Sequence, residues 1–162
     1  MRARLELNQF KSAFNNAPKK YGYIFMLSLL TGQRIGDITR LKWEDIKEDR
    51  LYIEQSKTGA RIAIPLSIRL EAIKLDLRGV LELLKNDSRL ICNISIRTLR
   101  ESFNKALPDM DNKPTYHEIR GLSARVYEIE KGAEFTKKLL GHKFMVMTDK
   151  YLDNRNNSFI KL

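Results

Sequence analysis

The residues best suited to chemistry in this 162-residue chain are a scattered set of cations and one phenol. Arg34 and Arg120 carry guanidinium groups, which stay charged and fork onto phosphate oxygens. Two of them can stabilise the extra charge on a pentacoordinate phosphorus without a metal ion. Either one alone is equally an ordinary surface arginine. Lys57 stands in Ser56-Lys57-Thr58-Gly59, which is turn chemistry. A lysine at such a tip is a solvated charge, or a flexible point charge able to reach a groove and protonate a departing oxygen. His117 and Arg120 are three residues apart and therefore neighbours on one helix, an arrangement that a solvated polar face also produces. His142 follows Leu139-Leu140-Gly141, where the leucines read as core and the glycine as a helix end. The imidazole is thereby left at a turn, and a structural histidine is the default reading. Tyr151 is one of six tyrosines, and at an unperturbed pKa of ~10 it is a poor nucleophile until basic or cationic neighbours assist its ionisation.

Other chemistries are excluded by what the sequence lacks or misorders. Ser102-Phe103-Asn104-Lys105 matches the S-x-x-K of penicillin-binding enzymes and Lys57-Thr58-Gly59 their K-T-G. Their order is reversed, the S-D-N element is missing, and Ser102 falls inside a predicted helix, so the match is coincidental. No G-x-x-x-x-G-K-[ST] loop points to nucleotide hydrolysis, and no acidic triad to a two-metal nuclease. The single cysteine, Cys92, forms no internal disulfide, and with two histidines it supplies no zinc cage. Neither a metal nor a cofactor is implied.

These residues must be positioned by elements that the pattern places as follows. Residues 7–17 have helical composition ended by Pro18. Residues 21–30 are so evenly apolar that, as a helix, they must be buried on most sides. Thr31-Gly32 stops that helix, the glycine supplying a left-handed residue that sends Gln33 and Arg34 in a new direction. Two short β-branched and aromatic runs, 51–54 and 61–64, flank the Lys57 turn and form a β-hairpin. Ile73, Leu75 and Leu77 alternate with charged residues and predict a third strand of the same sheet. Further helices are predicted at 80–85, 96–107, 117–130, 133–140 and 146–152. At about 100° per residue, Ile119, Leu122, Val126 and Ile129 mark the core face of the 117–130 helix, with His117 and Arg120 facing outward on the opposite side.

The composition bounds the partner. Thirty Lys and Arg against 20 Asp and Glu leave a net charge of +10, which on so small a domain implies an anionic partner, nucleic acid first. The longest apolar run, 23–30, is far short of the ~20 residues of a membrane span. The N-terminal residues lead into Glu6, Asn8 and Gln9 rather than the apolar segment of a secretory signal, and a reducing cytoplasm fits the lone cysteine.

Taken in order, Thr31-Gly32-Gln33-Arg34-Ile35-Gly36-Asp37, Glu54-Gln55-Ser56-Lys57-Thr58-Gly59 before an Ile-Ala-Ile-Pro strand, His117-Glu118-Ile119-Arg120, Leu140-Gly141-His142 and Tyr151 nine residues later resemble the active-site signature of the tyrosine recombinases, especially lambda-like phage integrases. The resemblance runs from about residue 5 to the end and reverses the bland reading of each residue taken singly. It implies an α+β fold, a mostly helical catalytic domain with a small three-stranded antiparallel sheet. It implies that Tyr151 attacks the scissile phosphate of double-stranded DNA to give a 3′-phosphotyrosine and a free 5′-hydroxyl, as in type IB topoisomerase chemistry. In that scheme Arg34, Arg120 and His142 hold the phosphate oxygens, Lys57 protonates the leaving oxygen, His117 assists proton removal from the tyrosine, and Asp37 buttresses Arg34. It also implies a tetramer on DNA in a full-length protein, accessory DNA-bending proteins, and a place at the nucleoid of a bacterial host in prophage integration and excision.

The domain expected is 1–153 with a C-terminal tail, 154–162, ending in the apolar Phe159, Ile160 and Leu162; the resemblance implies that such a tail docks on the domain or on a neighbouring protomer as a regulatory contact, the alternative being a disordered end. The N-terminal core-binding and arm-binding domains of such integrases are expected to be absent, leaving DNA binding weak and poorly selective. Lys57, Arg61, Arg97 and Arg100 are candidate DNA contacts and equally solvated charges. Two competing readings stand beside the recombinase. One is a catalytically silent DNA-binding remnant of the same fold; the other is a basic RNA-binding domain, for which the chain has no RNP-type aromatic motif.

Overall fold

The structure, a computed structural model, describes residues 2–142 and 159–162. Seven α-helices lie among these residues, one of them an apolar helix at the centre, and a small sheet flanks them. α1 (Leu7–Asn16) begins at a reciprocal Glu6–Gln9 capping box, in which the Glu6 N–H donates to Gln9 Oε1 at 2.8 Å. α2 (Lys19–Thr31) starts after Pro18 and is buried almost throughout, with Ile24, Phe25, Leu27, Leu29 and Leu30 at 0% exposure. It is the core that α1 and three later helices, α4 (Leu77–Leu83), α5 (Ile96–Ala106) and α6 (Glu118–Lys131), cover, as its lack of a polar face requires. Gly32 ends it at φ +65°, and α3 (Ile35–Thr39) leaves in a new direction with Arg34 at its N-cap.

The hairpin forms where the sequence places it. β2 (Arg50–Glu54) pairs antiparallel with β3 (Arg61–Pro65), setting Leu51 opposite Ile64 and Ile53 opposite Ile62 on the core side. The third antiparallel strand is β1 (Ile46–Lys47), on the outer edge of β2. Residues 73–78 do not supply it. There, β5 (Leu75–Asp76) pairs with β4 (Arg69–Leu70) in a separate two-stranded ribbon, and Leu77 already opens α4 (Leu77–Leu83). The reason is local: Asp76 Oδ1 accepts from the Gly79 N–H at 2.7 Å, a helix N-cap that cuts the alternation short. On the free edge of β3, β6 (Ile160–Lys161) adds in parallel, so the last residues dock on this chain's own sheet. Phe159 meets Tyr52 edge to face at 4.9 Å and lies 5.8 Å beneath the Arg61 guanidinium.

The C-terminal helices are α5 (Ile96–Ala106), capped by Ser95, α6 (Glu118–Lys131) and α7 (Ala133–Leu140), which ends at Gly141 with φ +67°. The predicted helix 146–152 lies outside the described residues. In α6, Ile119, Leu122 and Val126 are buried as expected, but Ile129 is 86% exposed. The last turn of α6 is covered from another side, where Tyr127 packs on Phe135 of α7 with ring centroids 5.7 Å apart. No helix among the described residues is long and apolar enough to cross a membrane.

Candidate active site

The site grows from one structural problem: the end of a fully buried helix leaves carbonyls that water cannot reach. At the C-terminus of α2, side chains answer it. The Gly32 N–H closes on Ser28 O at 2.9 Å. Beyond that, Ser123 Oγ donates to Leu29 O at 2.7 Å, the Tyr127 hydroxyl to Leu30 O, Gln33 Nε2 to Thr31 O at 2.7 Å, and Arg120 Nη1 to Gly32 O at 2.8 Å. Arg120, Ser123 and Tyr127 share one sector of α6, beside its apolar stripe. Arg120 therefore does not face outward with His117: it is half-buried against polar backbone, because the face it occupies meets a helix end rather than solvent.

The second donor of Arg120, Nη2, reaches Leu140 O at 3.0 Å. One guanidinium thus joins the segment that leads into Arg34 to the segment that leads into His142. Burial first, then the neighbouring Arg34, pull the Arg120 pKa from 12.5 down to about 10, with Asp37 opposing. The group remains cationic at neutral pH. Among the described residues, Arg34 Nη1 is buried with no hydrogen-bond partner, and it belongs to a guanidinium that neighbours a second one.

Asp37 is 3% exposed, and its Oδ1 accepts from Arg40 and from the Ser56 N–H at 3.0 Å. The expected buttress of Arg34 is not among these bonds. Asp37 instead ties α3 to the hairpin tip one residue before Lys57, while Lys57 itself is exposed. His117 directly precedes α6 and is exposed, next to the buried Tyr116, whose hydroxyl is 2.6 Å from Ser28 Oγ on α2. Partial burial, together with the guanidinium groups of Arg2, Arg120 and Arg34, holds its imidazole below the ordinary 6.5, with Glu118 opposing. His142 follows the left-handed Gly141, its N–H donating to Lys137 O at 3.2 Å, and its side chain is exposed. Arg34, Arg120 and His117 are thus coupled by charge, and hydrogen bonds to Ser56 and Leu140 tie the segments that carry Lys57 and His142 to the same frame, whereas Tyr151 lies outside the described residues. Among the described residues, no three His, Cys, Asp or Glu side chains are grouped so as to hold a metal ion.

Such a cluster can bind and polarise a phosphodiester. Residues 3–158 match the phage integrase family. The chain belongs to that family. Its relatives include the integrase of Escherichia phage HK022, 37% identical over 177 residues, and the prophage integrase IntE of Escherichia coli strain K12, 38% identical over 185. Each match takes in 99% of this chain, and the chain spans about half the length of these relatives, 50% and 49%. The solved lambda integrase catalytic core superposes with a TM-score of 0.82 at 33% identity, covering 88% of this chain and 97% of that one. A lambda integrase tetramer bound to a Holliday junction superposes with a TM-score of 0.82 at 34% identity, covering 88% of this chain and 47% of that one.

The residues that sequence reading missed are those of the frame: Thr31, Gln33, Gln55, Ser123 and Tyr127. A signal was present in part, since Arg120, Ser123 and Tyr127 recur at intervals of three and four beside an apolar stripe.

Proposed function

We propose that this chain is the strand-cleaving and rejoining domain of a site-specific DNA recombinase, acting through a covalent bond between Tyr151 and DNA. The observation that carries this reading is the pair of hydrogen bonds that Arg120 donates to Gly32 O and Leu140 O, which draws the Arg34 and His142 segments onto one locus in a member of the phage integrase family. The Tyr151 phenolic oxygen attacks the scissile phosphorus and His117, held neutral, takes its proton. The bond from phosphorus to the 5′-oxygen breaks, and Lys57 protonates that oxygen as it leaves. Arg34, Arg120 and His142 hold the non-bridging oxygens while charge builds on them. Rejoining reverses these steps with the 5′-hydroxyl of another strand, and the phosphotyrosine conserves the bond energy so that no nucleotide is hydrolysed. The lambda integrase complexes with core-site DNA and with a Holliday junction support duplex DNA as substrate and a tetramer as the working assembly. The place of action is the bacterial nucleoid.

The test is covalent trapping. A suicide duplex that loses its short 5′ fragment should leave the protein attached to DNA without divalent metal, and Tyr151→Phe should abolish the adduct. Salt-sensitive binding with no adduct on any site would favour the silent remnant; undiminished nicking by the phenylalanine variant would remove Tyr151 from the reaction.

A further inference from the structure

Lys57 is the one member of the cluster carried by a hairpin tip rather than by a helix end, and a lysine on an exposed turn is a poor instrument for delivering a proton to one atom. The turn, however, is held on both sides of it. Before it, the Ser56 N–H is bound by Asp37. After it, Thr58 Oγ1 donates to Gln55 Oε1 at 2.7 Å and accepts from the Ala60 N–H at 3.1 Å. Gln55 is 1% exposed, and its amide nitrogen spends both protons elsewhere: on Gln33 Oε1 at 2.8 Å and on Leu140 O at 3.0 Å. Gln33, 2% exposed, donates in turn to Thr31 O and to Leu139 O.

Every donor of these two amides has an acceptor, and each side-chain carbonyl has a donor. Turning either amide over would bring oxygen against a backbone carbonyl, so the pair has one orientation. It connects the helix ends that carry Arg34 and His142 to the turn that carries Lys57.

We propose that Gln55 is a positioning residue that fixes the Lys57 turn against the ends of α2 and α7, so that the ammonium meets the departing 5′-oxygen. The inference rests on the strand-cleavage reading above and adds to it a specific dependence: Gln55 acts on leaving-group protonation and not on DNA binding. Gln55→Glu keeps the shape but replaces two donors with a carboxylate facing Gln33 Oε1 and Leu140 O. Thr58→Val removes the two bonds of the turn hydroxyl, to Gln55 Oε1 and from the Ala60 N–H, and keeps the side-chain bonds that the Gln33 and Gln55 amides donate.

The experiment measures single-turnover cleavage by the full chain, wild type and both variants, on a duplex where wild type forms its adduct, and on the same duplex with sulfur replacing the 5′-bridging oxygen. A thiolate leaves without protonation, so it relieves any need for an aligned acid. Both variants are expected to bind DNA as wild type does and to cleave the ordinary diester about 10- to 100-fold more slowly, with most of the loss recovered on the sulfur-containing duplex. Equal loss on both duplexes, or wild-type rates on the ordinary one, overturns the proposal. Should Gln55→Glu fail to fold by its thermal transition, Thr58→Val alone decides between these outcomes. A wild-type chain that forms no adduct on any duplex overturns the strand-cleavage reading and this proposal with it, whereas a wild-type adduct with unaffected variants overturns this proposal alone.

Discussion

Gly141→Ala isolates the contact on which the frame closes. Gly141 has φ +67°, and a Cβ there would sit 2.9 Å from Ala60 Cβ and 3.0 Å from Gln55 Nε2. The left-handed conformation costs an alanine about 1–2 kcal/mol, and forcing a methyl group into a packed contact adds about 1–3 kcal/mol. The expected destabilisation is their sum, about 2–5 kcal/mol, a large share of the roughly 5–15 kcal/mol that holds a domain folded. Gly59→Ala is the matched control, since Gly59 has φ +75° with nothing within 4 Å of its added Cβ, so only the first part, about 1–2 kcal/mol, applies. In urea unfolding with a slope of about 2 kcal/mol per molar, the midpoint should fall by about 1–2.5 M for Gly141→Ala and about 0.5–1 M for Gly59→Ala, at unchanged slope. Ala60→Gly in the Gly141→Ala background should recover part of the excess, with a coupling of at least about 0.5 kcal/mol. If Gly141→Ala unfolds with Gly59→Ala, or the coupling is zero, then the close approach of α7 to the hairpin does not hold the site together and the reasoning fails.

Three further outcomes are expected. Tyr127→Phe removes the hydroxyl that bonds Leu30 O and leaves a buried carbonyl unpaired; stability should fall by about 1–3 kcal/mol, and a change under about 0.5 kcal/mol would contradict the capping role of α6. In the free protein, His117 should titrate below 6.5 by ring-proton NMR, since partial burial and Arg2, Arg120 and Arg34 disfavour its charged form. The sign for folding follows: its contribution is intact above the unfolded value and is lost as pH falls through the depressed folded one, and an NMR midpoint at or above 6.5 would break the argument. Removing residues 159–162 strips Phe159 from Tyr52 and bares the edge of β3; an unpaired strand edge recruits partners, so sedimentation should become concentration-dependent, and a variant unchanged in assembly and cleavage would leave the tail without a regulatory role.

What the sequence made legible follows a simple division. Elements whose patterning is local were readable: the uniformly apolar α2, the Gly32 and Gly141 stops, the hairpin around Lys57 and the Ser95-capped α5 all stand where composition puts them. The family was readable because the residue types and spacing of the six-residue signature are specific. What was not readable depends on partners distant in the chain. Residues 73–78 alternate like a strand, yet Asp76 caps a helix there, and Ile129 has a core position on the wheel but lies beyond the reach of the neighbours that cover Val126. Gln33 and Gln55 look like ordinary polar residues until folding places Leu139 O and Leu140 O, more than eighty positions away, against their amides.

The same geometry explains how like charges are kept together before any DNA arrives. Arg34 lowers the proton affinity of Arg120, and both guanidinium groups lower that of His117, so gathering them costs folding energy. Two helices, α2 and α7, end at this locus, and a helix end carries about half a negative charge on its free carbonyls. Gly32 O beyond the first and Leu140 O at the end of the second are the acceptors that Arg120 takes. A lysine could not substitute, because an ammonium is a point donor without the planar fork that spans two carbonyls at fixed spacing. Arg120 stays charged but is held by two backbone carbonyls, and Asp37 Oδ1 binds Arg40 and the Ser56 N–H, while among the described residues Arg34 Nη1 is buried without a hydrogen-bond partner and is left as a donor for an incoming anion. An anion entering there meets donors already in place. The energy that would otherwise reorient them was supplied when the chain folded, which is the condition under which charge stabilisation lowers a barrier rather than merely tightening binding.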